Sequence, residues 1–368
     1  MRTNNYTTHP LAILSVIAAV FGLLGQSSVM AHHSANALYE MDSDFEIAGE
    51  VTEVRWRNPH VRVVVQVTED GATRDWELEG PPSTAMRGIP GDEVVKVGDS
   101  VRAAGRPGRG GRSLIFASNL LLEDGREIVF RGAPRWSDNI IGESDMSPTT
   151  PERGALREDA SSGIFGVWFA KPGFDDDEEA GVWGGDIELT AAGAAVRDRY
   201  DPSTEDNPFI SCTRGIPEIM TGFGPVEFTE QDYGVRLRFG EFDIVRPIMM
   251  GPDAEANRPP GSEGGTHGDV GYSVGHWDGD DTLVVRTTGM RYPYYDQTGL
   301  PQSPDAEIVE RWTLAEQGNV LRYELTVNDP ATFVRPAVQS KTWYWAPDRQ
   351  IVPYNCDLTQ AVRQAANR

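Results

Sequence analysis

Residues 271–290 read GYSVGHWDGDDTLVVRTTGM and predict a β-hairpin. The first arm, residues 272–277, contains aromatic and small side chains. Residues 278–281, DGDD, predict the turn, because Gly and Asp tolerate the backbone conformations that tight turns need. The second arm, residues 282–288, is rich in β-branched side chains, which suit a pleated sheet. This hairpin indicates an antiparallel β architecture for the chain around it.

The same pattern of short apolar runs and turns extends over residues 163–357. Residues 308–314 and 320–327 predict another hairpin, turned at residues 316–318. About eight to ten antiparallel strands are expected, which is typical of an up-and-down barrel or curled meander. Such a domain is lipocalin-like in architecture, and its interior can hold one small ligand. The architectural likeness does not indicate which substrate or ligand the domain takes.

Residues 32–135 predict a smaller β domain that precedes a polar linker, residues 136–162. Valines at alternate positions across residues 61–67 show the period of two that is typical of a strand. About five short strands fit a small OB-like Greek-key barrel. The predicted fold class is therefore all-β, with an OB-like barrel, an antiparallel β-barrel and a C-terminal tail at residues 358–368.

The large β domain resembles a family of secreted bacterial proteins of unknown function. That family commonly reads G-H-S-I-G-R-W-E-G-D-T-L-V-V-x-T-T, and the resemblance extends through Glu307-Ile-Val-Glu-Arg311 and Tyr354-Asn-Cys356. Here Tyr272 replaces a usual His, His276 replaces a usual Arg, and one Asp is inserted in the turn. The resemblance implies no established activity.

The small domain resembles a second secreted family of unknown function. The resemblance rests on a leader followed by Ala31-His-His-Ser34 and on the G-x-V-x-x-V-x-W-x-N-P-H run at residues 49–60. The runs Trp76-x-Leu-Glu79 and Gly98-Asp-x-Val101 also contribute. It implies an all-β periplasmic module.

Residues 1–31 predict a secretory signal peptide. Arg2 precedes an apolar run at residues 11–25, which is short for a membrane span. Val29-Met30-Ala31 has the small residues of a cleavage site. We therefore expect a periplasmic or secreted protein with no stable membrane insertion after cleavage. An uncleaved anchor is the alternative interpretation.

Charge and cysteine content restrict the partners and the compartment. A net charge of −23 disfavours nucleic acid, because phosphate binding needs clustered Lys and Arg; it favours solubility and tolerates small cationic or neutral partners. The arginines of residues 102–112 predict a solvated loop, with docking to a polyanion as the alternative. Cys212 and Cys356, the two cysteines of the chain, predict a disulfide, with a metal or redox pair as the alternative.

Candidate site residues fall in the two predicted hairpins. If the second hairpin pairs about Gln317, Glu310 and Trp312 lie near Glu324 and Arg322. Two carboxylates would then share one face beside His276, and crowded carboxylates move apart in pKa, which suits acid/base chemistry. An exposed ladder of ion pairs is the alternative. The candidate catalytic residues are His276, Glu310 and Glu324, and the candidate ligand-binding residues are Tyr272, Trp277, Trp312 and Arg322.

The predicted cleavage makes His32 the first residue of the mature chain. Its amine and imidazole could chelate one metal ion, and His33 and His60 are candidates for a further imidazole. Such a nitrogen set favours copper. The alternative is a frayed, metal-free terminus.

The leading functional expectation is a periplasmic module that binds a small apolar or aromatic ligand in the large β domain. A periplasmic enzyme of the isomerase or hydratase type, using the same pocket, is one alternative. A copper-binding protein that uses the N-terminal histidine is the other.

Overall fold

A computed structural model describes residues 38–86, 89, 91–144, 157, 160–170, 187–200, 212–222, 224–254, 269–296 and 299–357. All of them belong to the unit His32–Arg368. Their regular structure is almost entirely strand, arranged in two closed barrels, which confirms the predicted all-β fold class.

The described residues form sixteen strands, two short α-helices and four 3-10 turns. The strands are β1 Phe45–Arg55, β2 Arg62–Glu69, β3 Ala72–Glu79, β4 Ser100–Pro107, β5 Leu114–Leu122, β6 Glu127–Val129, β7 Ile140–Glu143, β8 Gly166–Ala170, β9 Gly224–Gln231, β10 Gly234–Phe239, β11 Val245–Met250, β12 Tyr272–Asp278, β13 Thr282–Thr288, β14 Glu307–Ala315, β15 Val320–Asn328 and β16 Ala337–Trp345. The helices are α1 Gly91–Val94 and α2 Ala191–Arg197, and the 3-10 turns are Ser83–Ala85, Arg109–Gly111, Glu218–Thr221 and Glu316–Gly318.

Strands β1 to β5 close the small barrel in the order β1-β2-β3-β5-β4. The parallel pairing of β3 with β5 completes the closure, as in an OB-like barrel. The alternating valines of β2 point inward and are buried, as predicted. Gly49 lets β1 approach β2 closely, because an added Cβ would lie 2.2 Å from the Gln66 carbonyl oxygen. Strands β6 and β7 extend the sheet beyond the barrel.

Strands β8 to β16 close the large barrel in chain order, with β16 pairing back to β8. Every neighbouring pair is antiparallel except β11 and β12, which are parallel. The hairpin predicted from residues 271–290 is the β12–β13 pair, in which Trp277 lies opposite Leu283. This confirms the hairpin and the antiparallel barrel built around it.

Large side chains fill the middle of the large barrel. Trp312, Tyr323 and Trp343 point inward from three consecutive strands and are buried. The Trp312 ring lies 4.2 Å from that of Tyr323 and 6.2 Å from that of Trp343, measured between centroids. Phe228 packs edge-on against Trp312 from β9. This packed core occupies the space in which the sequence predicts room for a ligand, so a ligand site in this barrel has to lie elsewhere.

One end of the large barrel is covered by residues 212–222, which we call the plug. Ile216, Ile219 and Met220 of the plug belong to the barrel's hydrophobic core. Lys341 donates from β16 to the carbonyl oxygens of Met220 and Thr221, at 3.1 and 3.4 Å. Ile219 and Gly222 of the plug lie beside Gly224, where β9 begins, and Phe239, where β10 ends. The last carbonyl groups of the plug accept hydrogen bonds from the Lys341 ammonium group of the barrel wall.

The two barrels contact each other through two sequence motifs. Asn58, from the Asn-Pro-His motif of the small barrel, accepts a backbone hydrogen bond of 2.9 Å from Asp357. Its side-chain nitrogen donates to the carbonyl oxygen of Tyr354, in the closing Tyr-Asn-Cys motif. Asn58 is buried, and its side-chain oxygen accepts from Ser83 at 3.2 Å. The motifs that suggest two different family resemblances thus form one junction.

Candidate functional site

The structure separates the three predicted acid/base residues. Glu310 points into the barrel, whereas His276 and Glu324 are exposed. In the β14–β15 pair, Glu324 lies opposite Arg311, and Glu310 lies opposite Leu325. The predicted proximity of Glu310 and Trp312 to Glu324 and Arg322 is therefore wrong. The sequence predicts pairing centred on Gln317, but the loop holds four residues, 316–319, and a shift of one residue moves every side chain to the other face.

Glu310 forms a buried ion pair with Arg246 of β11. Both side chains are 0% exposed, and Arg246 Nη1 donates to Glu310 Oε1 at 3.0 Å while Nη2 donates to Oε2. Tyr323 donates to the same carboxylate at 2.9 Å, and burial followed by the charge of Glu310 raises the pKa of Tyr323. Arg246 also donates to Ser273 and Thr287. This network satisfies both charges and links five strands, which is a structural role.

Ser273 stands in a G-x-S-x-G pattern, Gly271 to Gly275, which is also the letter pattern of hydrolase nucleophiles. The structure places it in the middle of β12 rather than at a turn between a strand and a helix. Its hydroxyl contacts Arg246 at 2.8 Å and Thr287 at 3.0 Å. Ser273 is therefore part of the buried network and has no nucleophile geometry.

A cleft of about 930 Å³ lies at the barrel end opposite the plug. Trp277 and Phe165 face each other there edge to face, with ring centroids 6.4 Å apart. Trp277 is 41% exposed, and Phe228 connects the cleft to the packed core. The lining comprises the loop 161–166, residues 227–230 at the end of β9, the β12–β13 turn and the end of β14; its residues are Ser161, Ser162, Gly163, Ile164, Phe165, Gly166, Glu227, Phe228, Thr229, Glu230, Trp277, Gly279, Asp280, Asp281 and Leu314.

Of the four predicted ligand-binding residues, only Trp277 lines this cleft. Tyr272 is buried and donates to the Ala254 carbonyl oxygen at 2.7 Å. Trp312 lies in the core behind Phe228, and Arg322 is exposed on the outer face of β15. The exposed aromatic residue next to the predicted turn is thus the candidate of this set that lines the cleft, and ligand binding by it stays a prediction.

The sequence did not point to a second buried charge cluster, which lies at the plugged end. Arg214 donates to Glu218 at 2.6 Å through Nε and to Glu241 at 2.7 Å through Nη1. Burial raises the pKa of Glu241 to about 7, the charge of Glu218 acts in the same direction, and Arg214 opposes both. Because Glu218 and Glu241 are 23 positions apart (241 − 218) and follow no motif, only the tertiary structure brings them to one guanidinium.

The spaces beside Glu241 are small. One, of about 30 Å³, lies between the barrels and includes Pro82 and Val352, and the other, of about 10 Å³, includes Trp343. Cavities of this size admit roughly one or two water molecules and exclude an organic substrate. Glu241 can exchange a proton with water there, but the geometry does not support catalysis on a larger molecule.

Stability should fall with rising pH because of Glu241. Its folded-state pKa of about 7 exceeds the ordinary value of 4.5, so between these values the unfolded chain loses its proton while the folded protein keeps it. The difference between the two pKa values corresponds to about 3 kcal/mol in the free energy of unfolding. This stabilisation is present below pH 4.5 and lost by about pH 7. Urea unfolding at pH 5 and pH 8 measures it. Glu241→Gln should flatten the pH dependence, whereas Glu307→Gln, at a partly exposed carboxylate of the barrel wall, should retain it. An unchanged slope in Glu241→Gln would contradict the assignment.

His60 lies beside Glu79 in the small barrel. Its Nδ1 is 3.2 Å from the Gly80 carbonyl oxygen and 3.8 Å from Glu79 Oε1, and burial lowers its pKa. Among the residues that the structure describes, no group of three His, Cys, Asp or Glu side chains is arranged to hold a metal ion. His32 and His33 lie outside the described residues, so the copper site stays a prediction.

The predicted disulfide between Cys212 and Cys356 is present, with Cα atoms 6.0 Å apart. It joins the plug to the segment that contacts Asn58, and it fits an oxidising compartment. In the described part of the chain, no helix has the length and apolar character needed to cross a membrane. Residues 1–31 lie outside the described ranges, and the signal peptide stays a prediction.

A protein-family model matches part of the chain. The model of DUF6152, a family of unknown function, matches residues 22–115. The match runs from before the small barrel to the start of β5 and agrees with the resemblance of this region to a family of unknown function. No curated protein matches the chain.

Proposed function

We propose that this protein is a periplasmic module that binds a small ligand with an apolar or aromatic body in the cleft around Trp277. The observation that carries this proposal is the exposure of Trp277, 41%, beside Phe165 in a cleft of about 930 Å³. Small-molecule sites commonly have volumes of about 300–1,000 Å³ and aromatic walls. An indole left partly open in such a space offers a large apolar contact area.

Hydrogen bonds hold one wall of the cleft in place before any ligand binds. The loop carrying Phe165 is tied by Trp168, whose indole donates to the Ile164 carbonyl oxygen at 2.7 Å, and by Arg157, which donates to Gly163 at 2.7 Å. The Phe165 backbone nitrogen donates to Ser162 at 3.1 Å. A preorganised wall reduces the entropy lost on binding, which favours recognition of a small molecule.

The opposite wall is the β12–β13 turn. Gly279 has a positive φ of 72°, which permits the tight reversal after Trp277. Leu314 donates from its backbone to the Asp281 carbonyl oxygen at 2.8 Å, so the end of β14 supports the turn. Trp277 is thus presented by a braced hairpin rather than by a loose loop.

Binding is a better proposal than catalysis on this geometry. His276, Glu310 and Glu324 point in different directions, so no acid/base set faces the cleft from these three residues. Glu241 has a suitable pKa, but the space beside it is too small for an organic substrate. The disulfide supports an oxidising compartment, which agrees with the proposed periplasmic location.

A neutral aromatic probe, 2-phenylethanol, tests the proposed site. Trp277→Ala should weaken its binding at least tenfold, because removing a large aromatic contact costs about 1.5–3 kcal/mol. Two-dimensional NMR titration of wild type and variant gives the dissociation constants. Trp136→Ala is the matched control and should leave the affinity unchanged. The Trp136 ring lies beside the small barrel, with its centroid 4.9 Å from the guanidinium carbon of Arg102 and 5.5 Å from that of Arg135. Equal affinity in wild type and Trp277→Ala would remove the cleft as the site.

A further inference from the structure

We infer that the ligand of the cleft is an organic cation, an amine or quaternary ammonium group attached to an apolar or aromatic body. This inference rests on the proposed function and assigns the charge of the ligand. It follows from the charges around the cleft, from the ion pairs that these charges make and from the aromatic pair between them.

The first observation is the composition of the cleft. Among the described residues of the lining, four are acidic, Glu227, Glu230, Asp280 and Asp281, and none is Lys, Arg or His. These residues form two pairs on opposite walls of the cleft: Glu227 and Glu230 lie at the end of β9, and Asp280 and Asp281 lie in the β12–β13 turn. A ligand between these walls therefore experiences negative potential from both sides.

The second observation is that most of this charge is not neutralised locally. Arg236 lies 3.8 Å from Glu227, whereas Glu230, Asp280 and Asp281 form no ion pair within the described ranges. The Arg157 guanidinium donates to Gly163 at 2.7 Å and to Ser162, both in the lining, and lies over the Trp345 ring at 4.0 Å, so one cation borders the cleft against four carboxylates. The open carboxylates favour a cation and repel an anion.

The third observation is the aromatic pair. Trp277 and Phe165 supply π surfaces in the same cleft as the four acidic residues. Trp binds ammonium groups better than the other aromatic residues do, and the interaction strengthens when water is displaced. Carboxylates around an aromatic pair therefore match a ligand whose positive group and apolar body are covalently joined. The net charge of −23 acts in the same direction at longer range, since it attracts cations toward the protein.

Three probes with the same phenyl ring separate charge from apolar contact: 2-phenylethylammonium, 2-phenylethanol and phenylacetate. We expect the cation to bind wild-type protein at least tenfold more tightly than the alcohol, and phenylacetate to bind most weakly. The advantage of the cation should shrink as NaCl rises from 0.05 to 0.5 M, because salt screens exposed charges. NMR titration at pH 7 measures all three.

Charge-removing variants locate the effect. The double variant Asp280→Asn/Asp281→Asn should weaken the cation about tenfold, roughly threefold for each exposed charge, and leave the alcohol unchanged. Glu307→Gln is the control for position, since it removes one carboxylate at the far end of β14, about 23 Å along the strand from Leu314, and should leave the affinity for the cation unchanged. The unchanged affinity of the alcohol shows that the double variant is folded.

The outcomes distinguish this inference from the proposed function. If the alcohol binds as tightly as the cation and the double variant binds both like wild type, the ligand is not selected by charge and the inference fails, while the cleft remains the proposed site. If none of the three probes binds wild type more tightly than Trp277→Ala, the proposed function fails, and the inference fails with it.

Discussion

Replacing Glu310 by Ala is expected to lower the free energy of unfolding by about 3–5 kcal/mol, because it leaves the Arg246 guanidinium charged and without its carboxylate inside the barrel. Both side chains are 0% exposed, so water cannot take the place of the missing partner at the surface. Tyr323 loses its acceptor in the same substitution. Urea unfolding followed by circular dichroism measures the change.

A matched control lies on the same strand. Glu307 pairs with Arg286 on the exposed side of β14, and Glu307→Ala should cost less than about 1 kcal/mol, as is usual for surface ion pairs. The double variant Arg246→Met/Glu310→Leu removes both charges and should recover most of the stability lost in Glu310→Ala. A loss below 1 kcal/mol in Glu310→Ala would mean that the buried pair does not have the structural role assigned to it.

Removal of the disulfide should have an effect of similar size. Cys212 and Cys356 are separated by 144 positions, and chain entropy predicts a stabilisation of about 5 kcal/mol for a loop of this length. Removing the bond should loosen both the plug and the junction between the barrels, because the disulfide joins the plug to the segment that contacts Asn58. The double variant Cys212→Ala/Cys356→Ala should therefore unfold at much lower urea concentration.

Reduction provides the control for this prediction. Wild-type protein in dithiothreitol should approach the stability of the double variant, and the double variant itself should not respond to the reductant. Limited proteolysis should also show cleavage near residues 350–357 at lower protease concentration once the bond is gone. Equal stability of the oxidised protein and the double variant would show that the plug and the junction are held by packing alone.

Several features of this fold follow from local sequence. The alternating valines of residues 61–67 place β2, because a strand exposes alternate residues to opposite faces. The β12–β13 hairpin follows from its turn composition and its β-branched second arm. The disulfide follows from two cysteines in a chain with a predicted leader. In each case the physical cause acts within a few residues or depends on composition alone.

Other features needed the closed barrels. A loop of four residues at 316–319 shifts the β14–β15 register by one residue, which turns Glu310 inward and Glu324 outward. Arg246 meets Glu310 across 64 positions of sequence, and Arg214 meets Glu241 across 27. No sequence periodicity encodes such distances.

The sequence by itself determined the all-β class, the hairpin around residue 280 and the cysteine pairing, because turn chemistry, strand period and cysteine number are local or compositional properties. The tertiary structure alone decided which side chains face the interior, that the middle of the barrel is packed, and that Trp277 and two acidic walls share one cleft. The physical reason is barrel closure: it places strands distant in sequence side by side, and register then sets the direction of every side chain.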